Sequence, residues 1–245
     1  MRVDSGRQRV LLDLAEVDAQ ITRLDHSRTH LPEDAEIAEI DRKVEVARDD
    51  LVRAEIAAED LGREYKRIEG EVNGMSSREA RDSQLLTAGG LAAKALSELQ
   101  HELTGLARRR GILEDELLSI MEQQEALSGE EQRAAATVDQ LGTDLASVQE
   151  RRAAALATLD EDRAVADTRR ASIVSEVDPE LLAIYDRQRS AGKVGAGLLR
   201  ARRCGACRME LDRGTIAGIA AADPSEVIRC EECGAVLVRT SESGL

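Results

Sequence analysis

Residues 37–75 read IAEIDRKVEVARDDLVRAEIAAEDLGREYKRIEGEVNGM. Apolar side chains recur there in alternating steps of three and four: Ile37, Ile40, Val44, Ala47, Leu51, Ala54, Ala58, Leu61, Tyr65, Ile68, Val72 and Met75. Every position of this heptad template is filled. A stripe with that period keeps one seam of a helix facing a partner helix while charged residues occupy the remaining surface. The same rule holds upstream at Val10, Leu14, Val17, Ile21, Leu24 and Leu31, with Arg28 as the exception. Pro32 can begin a helix but not sit inside one without cost, so a break is expected around residues 29 to 33.

A second arm follows through Leu96, Leu99, Leu103, Leu106, Leu113, Leu117, Ile120, Leu127, Ala134, Val138, Leu141, Leu145, Val148, Ala155, Leu159, Ala166 and Ile173. It is less regular, because Arg110, Gln124, Glu131, Arg152, Asp162 and Arg169 fall on the seam. Between the arms, TAGGLAAK offers Gly89 and Gly90 for a chain reversal near residues 87–91. A coil from about Ser5 to Val177 would have its midpoint there, and each arm would measure on the order of 120 Å if straight. This favours a hairpin within one chain over a parallel dimer of two unbroken helices. The stretch VNGMSS at 72–77 suggests a bend within the first arm. The expected fold is mainly α: a long antiparallel two-helix coiled-coil hairpin over residues 1–177, then a small β zinc ribbon with a short linking helix over 178–245.

Composition agrees. The 245 residues contain no Phe or Trp and only two Tyr, and a third of them are charged. A thick globular core needs aromatics, whereas a two-helix seam needs aliphatic knobs. No apolar run approaches the roughly 20 residues that cross a bilayer, so a cytoplasmic protein without membrane contact is expected. The net charge of −14 argues against nonspecific DNA binding by the whole chain. Its distribution is uneven, however, since residues 193–245 carry eight basic and seven acidic groups.

The linking segment EVDPELLAIYDRQRSAGKVGAG opens with Asp178 as N-cap and Pro179 at the first helical position, and a helix should run to about Arg189. The four cysteines then come as CGAC (204–207) and CEEC (230–233), with 22 residues between the pairs. Two residues between thiolates let both sulfurs face one ion, and the second pair completes a tetrahedron. Gly205 and Gly234 are expected to let backbone amides turn toward the sulfurs. The segments EVIRC and CGAVLVRT read as strands about the second pair, LLRARRC and CRMEL as their counterparts about the first, and the stretch between as a turn or short helix. A reducing compartment disfavours disulfides, a redox dithiol needs only one pair, and rubredoxin-like iron is normally packed by aromatics. The reading is one structural Zn2+ held by Cys204, Cys207, Cys230 and Cys233, with no open coordination position for catalysis.

Arg200, Arg202, Arg203 and Arg208 bracket the first pair as candidate phosphate contacts, or else they offset the thiolates and the acidic coil. With no aromatic platform, base stacking is not expected. His26, His30 and His101 lie on the coil without ligand spacing. No phosphate loop, nucleophile elbow or dinucleotide fingerprint is present, so neither an enzyme nor a small-molecule substrate is expected.

The blocks LLDLAEVDAQITRLDHSRTHLP, LLTAGGLAAKALSELQHELTGLARRRGILEDELLSIME, LLAIYDRQR, CGACRMEL and VIRCEECGAVLVR together resemble the bacterial zinc-ribbon proteins with an N-terminal coiled-coil hairpin. The resemblance spans essentially the whole chain. It implies the hairpin, the four-cysteine zinc ribbon and a non-catalytic role. Relatives are linked to an alternative sigma factor, to flagellar or type III secretion components and to RNA, but no contact motif for these stands in this chain. The expected function is a non-catalytic adaptor or scaffold, monomeric or homodimeric, that binds a protein partner. The alternative is a regulatory protein that binds RNA or DNA through the basic side of the ribbon.

Overall fold

The computed structural model describes residues 1–245. Helix α1 spans Ser5–Thr29, α2 Pro32–Ala88, α3 Ala93–Glu176 and α4 Pro179–Ser190. Strands β1 (Ala196–Arg200) and β2 (Arg203–Cys204), helix α5 (Arg213–Ala221), and strands β3 (Ile228–Arg229) and β4 (Val236–Val238) follow. The fold is a long helical hairpin followed by a small strand-rich region. The break between α1 and α2 falls at His30 and Leu31, with Pro32 opening α2. Gly89 and Gly90 take φ of +71° and +85° at the reversal. Helix α2 runs unbroken through residues 72–77.

Packing divides the chain into two compact units, residues 35–150 and residues 1–34 together with 151–245. The division by packing therefore differs from the division by element type.

In the unit of residues 35–150, all twelve stripe positions from Ile37 to Met75 are buried or half-buried. Ile68, Leu113 and Ile120 form its innermost cluster, with Leu61, Tyr65, Val72, Met75 and Leu117 packed around it. Few side chains here are fully covered, because a two-helix seam has no third layer. Arg110, an exception on the seam, reaches Glu79 at 3.4 Å and Glu114 at 3.7 Å.

The other unit is thicker. Leu11 and Leu14 of α1 pack with Leu181 and Tyr185 of α4, Ala196 of β1, and Val236 and Val238 of β4. Helix α1 is thus covered over more than one stripe, and Gln8 and Asp18 are buried with it. Where α1 faces the end of α3, charged residues are paired: Arg28 with Asp160 (3.1 Å), Arg163 with Asp25 (3.0 Å) and Arg169 with Glu16 (4.0 Å). Arg152 reaches Asp34 at the start of α2.

Asp178 caps α4 by accepting from the Glu180 N–H at 3.0 Å. The sheet order is β2-β1-β4-β3, with β1 and β4 parallel and both outer pairs antiparallel. The strands about the second cysteine pair are those expected from sequence. The first pair differs, since Met209–Glu210 contributes only a bridge from Glu210 to Arg203. A parallel β1–β4 pairing joins the two halves instead, a long-range register that no local pattern encodes.

The N-terminus is tied into this region. The Val3 N–H donates to the Ser225 carbonyl (2.7 Å) and the Val227 N–H to the Met1 carbonyl (3.1 Å). The Gln8 amide donates to the carbonyls of Val3 and Ser225. Arg239 holds the same loop from the other side, donating to the carbonyls of Ile219, Ala222, Asp223, Pro224 and Glu226.

Candidate metal centre

The two cysteine pairs sit on matching turns. In the first, the Arg208 N–H donates to the Cys204 carbonyl (2.7 Å) and the Cys204 N–H to the Met209 carbonyl (3.0 Å). In the second, the Gly234 N–H donates to the Cys230 carbonyl (2.8 Å) and the Cys230 N–H to the Ala235 carbonyl (2.8 Å). Each turn needs a left-handed residue directly after its second cysteine. Gly234 fills that place at φ +81°, whereas Arg208 fills it at φ +63°. Gly205 is required for a different reason from the one its sequence position suggests. A Cβ there would lie 2.7 Å from the Leu198 carbonyl oxygen, and a Cβ on Gly197 would lie 2.4 Å from the Ala206 nitrogen. Strand β1 and the first turn are in backbone contact, sealed by a Gly205 N–H to Leu198 carbonyl bond of 2.9 Å.

This geometry converges the four sulfurs. Their Sγ atoms all lie within 4.8 Å of one another. Cys204 and Cys233 are 3.9 Å apart, as are Cys207 and Cys230. No disulfide is present. A tetrahedron with Zn–S of about 2.3 Å has edges of about 3.8 Å, close to the two 3.9 Å separations, so the donor set suits zinc. Leu199, Leu211, Ile219 and Leu237 pack around Cys204 and Cys230. Burial pushes the Cys204 thiol up to about 12, against the N–H groups of Cys207 and Ala206, which point at its sulfur. Burial likewise raises Cys233, opposed by the Ala235 N–H. The Met209 N–H is the main cause that lowers Cys207. Inward-pointing amides are the arrangement that steadies metal-bound thiolates. A bound zinc supplies the positive charge that makes four clustered thiolates tolerable, and it cross-links two halves of a sheet that has little apolar core of its own.

The arginines around the first pair do not form one free basic patch. Arg202 and Arg203 share Glu210, at 3.1 and 3.8 Å, and Arg200 faces Glu242 at 3.8 Å. Arg208 has no carboxylate at ion-pair distance. The two-residue turn between β1 and β2 is left-handed at both Ala201 (φ +48°) and Arg202 (φ +63°). Such conformations cost an L-residue roughly 1 to 2 kcal/mol. The protein's three non-glycine residues at positive φ are thus confined to the first turn and its hairpin.

A second polar centre was not singled out by sequence reasoning. The Asp18 side chain is only 2% exposed; it accepts from the Tyr185 hydroxyl (2.7 Å) and Arg170 Nε (2.8 Å) and forms an ion pair with Arg189 Nε (3.2 Å). It ties α1, α3 and α4 together beside the sheet. Burial, then the bond to Asp18, pushes the Tyr185 hydroxyl well above its ordinary range. Beside it, the Gln188 amide, oriented to satisfy its neighbours, donates to the Cys233 carbonyl (3.2 Å) and accepts from Arg229 (2.8 Å). The signal available in sequence was weak: Tyr185 is one of two aromatics, and Asp18 directly follows a seam residue.

A helical hairpin carrying a four-cysteine ribbon defines the class, a metal-binding zinc-ribbon protein with one structural zinc. Residues 14–193 match the CT398-like coiled coil hairpin domain and residues 203–237 the C4-type zinc ribbon domain. The chain belongs to the CT398-like hairpin family, and neither matched family is an enzyme family. It is 42% identical to an uncharacterized protein of Mycobacterium tuberculosis over 98% of both chains, and 31% identical to one of Mycobacterium leprae over 91% of this chain and 96% of the relative. A solved structure from Mycobacterium smegmatis superposes with a TM-score of 0.87 at 42% identity, covering 98% of this chain and all of that one. CT398 from Chlamydia trachomatis shares the fold at a TM-score of 0.65 and 18% identity, over 96% and 98% of the two chains. No helix is long and apolar enough to cross a membrane.

Proposed function

We propose that the protein is a non-catalytic adaptor whose helical hairpin engages a protein partner, while the zinc ribbon folds and anchors the end of the chain. The observation that carries this reading is the outer surface of residues 35–150. That unit holds 26 acidic against 14 basic residues. Ile56, Leu118 and Met121 are each at least half exposed on it although the seam is already filled. Exposed apolar side chains set among charges are what a helical partner covers. A ribbon whose arginines are largely matched by Glu210 and Glu242 adds support, because matched arginines have less to offer phosphate.

Nucleic-acid binding through the ribbon keeps one supporting feature, the carboxylate-free and strained Arg208. Photo-crosslinking residues placed in the full-length protein at Leu118 and at Arg208 separate the readings in its own cells. Protein adducts from Leu118 support the adaptor. Adducts from Arg208 alone, made only to nucleic acid, contradict it. RNA and DNA affinity measured against salt gives the same decision in vitro, since phosphate binding weakens steeply as salt rises.

A further inference from the structure

A cleft of about 310 Å³ opens between α1, the end of α4 and the Gly192–Gly195 loop. We propose that it binds a small apolar carboxylate, a ligand with a short branched or linear hydrocarbon body and one anionic head.

The cleft is built rather than incidental. Its loop is fixed by N–H bonds from Gly192 to the Arg189 carbonyl (2.9 Å) and from Lys193 to the Gln188 carbonyl (3.0 Å). Gly195 is pressed so closely to Tyr185 that a Cβ would lie 2.4 Å from the ring. Ala15, Ala19 and Val194 line it with apolar surface, over a floor backed by the fully buried Tyr185. Val194 is 49% exposed, an uncovered aliphatic group at the mouth of a concavity.

The charges select an anion. Asp18 lies at the cleft, but its carboxylate is matched by Tyr185, Arg170 and Arg189 and does not repel a second carboxylate. Arg189 also donates from Nη1 to the Thr22 hydroxyl at 3.3 Å. Arg23 and Lys193 line the same cleft and have no carboxylate at ion-pair distance. With Asp18, Arg23, Arg189 and Lys193 as its charged groups, the lining carries a net +2. Binding pockets for small molecules range from about 300 to 1,000 Å³, so this one suits a ligand at the small end. Inorganic phosphate would satisfy the cations and leave the apolar walls wet, while a neutral amide would fill the walls and leave the cations unmatched.

The test is titration calorimetry on the zinc-loaded full-length protein with 4-methylpentanoate, its amide and inorganic phosphate at low salt. The carboxylate is expected to saturate one site, weaken at least tenfold in the Arg23→Ala/Lys193→Ala double variant and fail to bind Ala19→Leu, which narrows the cleft from an exposed position. No saturable binding of the carboxylate, equal binding to the double variant, or phosphate binding as tight as the carboxylate would each overturn the proposal. The outcome is independent of whether the hairpin binds a protein.

Discussion

The two compact units share the long helix α3, yet they handle side chains in opposite ways. Residues 35–150 carry a net charge of −12, against −2 for the remainder, and bury only a thin seam. Their helical glycines at 70, 74, 105, 111 and 142 have open space where a Cβ would go. In the other unit, Gly195, Gly197 and Gly205 have no such space. A heptad repeat sets which face of a helix turns inward, but the thickness of what it meets depends on the rest of the chain. Around α1 the stripe meets α4 and a sheet, and around α2 it meets one helix.

The contrast can be broken most severely at the metal. Cys204→Ser or Cys230→Ser removes a zinc ligand, and structural zinc supplies roughly 10 to 16 kcal/mol of apparent folding free energy in small domains. Near-complete loss of ordered structure in 196–238 is expected, with zinc content falling and the helical circular-dichroism signal mostly retained. Next in size is Asp18→Asn. The arginines it matches are each 31% exposed, so they keep some water, and the cost should sit near the low end for a broken buried pair, about 3 kcal/mol. Chemical denaturation of the zinc-loaded protein measures it.

Tyr185 offers a smaller, pH-resolved test. Its hydroxyl pKa is raised by folding, so the folded state holds its proton more tightly than the unfolded state does. The stability this contributes is complete below about pH 10, the ordinary tyrosine value, and is lost as pH rises toward the folded value. Stability should therefore fall more steeply above pH 10 in the native protein than in Tyr185→Phe; parallel pH profiles would show that the Tyr185 hydroxyl is not held buried against Asp18 in the folded state. The smallest effect has the opposite sign. Gly70→Ala and Gly142→Ala should each stabilise by about 1 kcal/mol through helix propensity alone, visible as a higher melting temperature, whereas Gly197→Ala should destabilise.

Most of this architecture was legible in the sequence because its determinants are local. The stripe from Ile37 to Met75, the proline at 32, the glycine pair at 89 and 90, and the cysteine spacing each act over a few residues. What stayed hidden is set by distant partners. Asp18 reads as an ordinary charged residue until Tyr185, Arg170 and Arg189 surround it. The pairing of Met1 and Val3 with Ser225 and Val227 joins opposite ends of the chain, and Arg239 reads as a generic arginine although it satisfies five carbonyls. At the cysteines, spacing identified the ligands, but the left-handed place taken by Arg208 in one turn and Gly234 in the other emerged only from backbone geometry.

The central claim is that the four cysteines hold a zinc that folds one region without being needed by the other. Hydrogen exchange, resolved by segment before and after chelation of the full-length protein, tests it directly. Protection should collapse across 196–238 and at Met1–Val3, which pairs with the loop at 225–227, and persist across 35–150. Equal loss of protection in both units, or unchanged protection across 196–238 after the zinc is gone, would contradict the account.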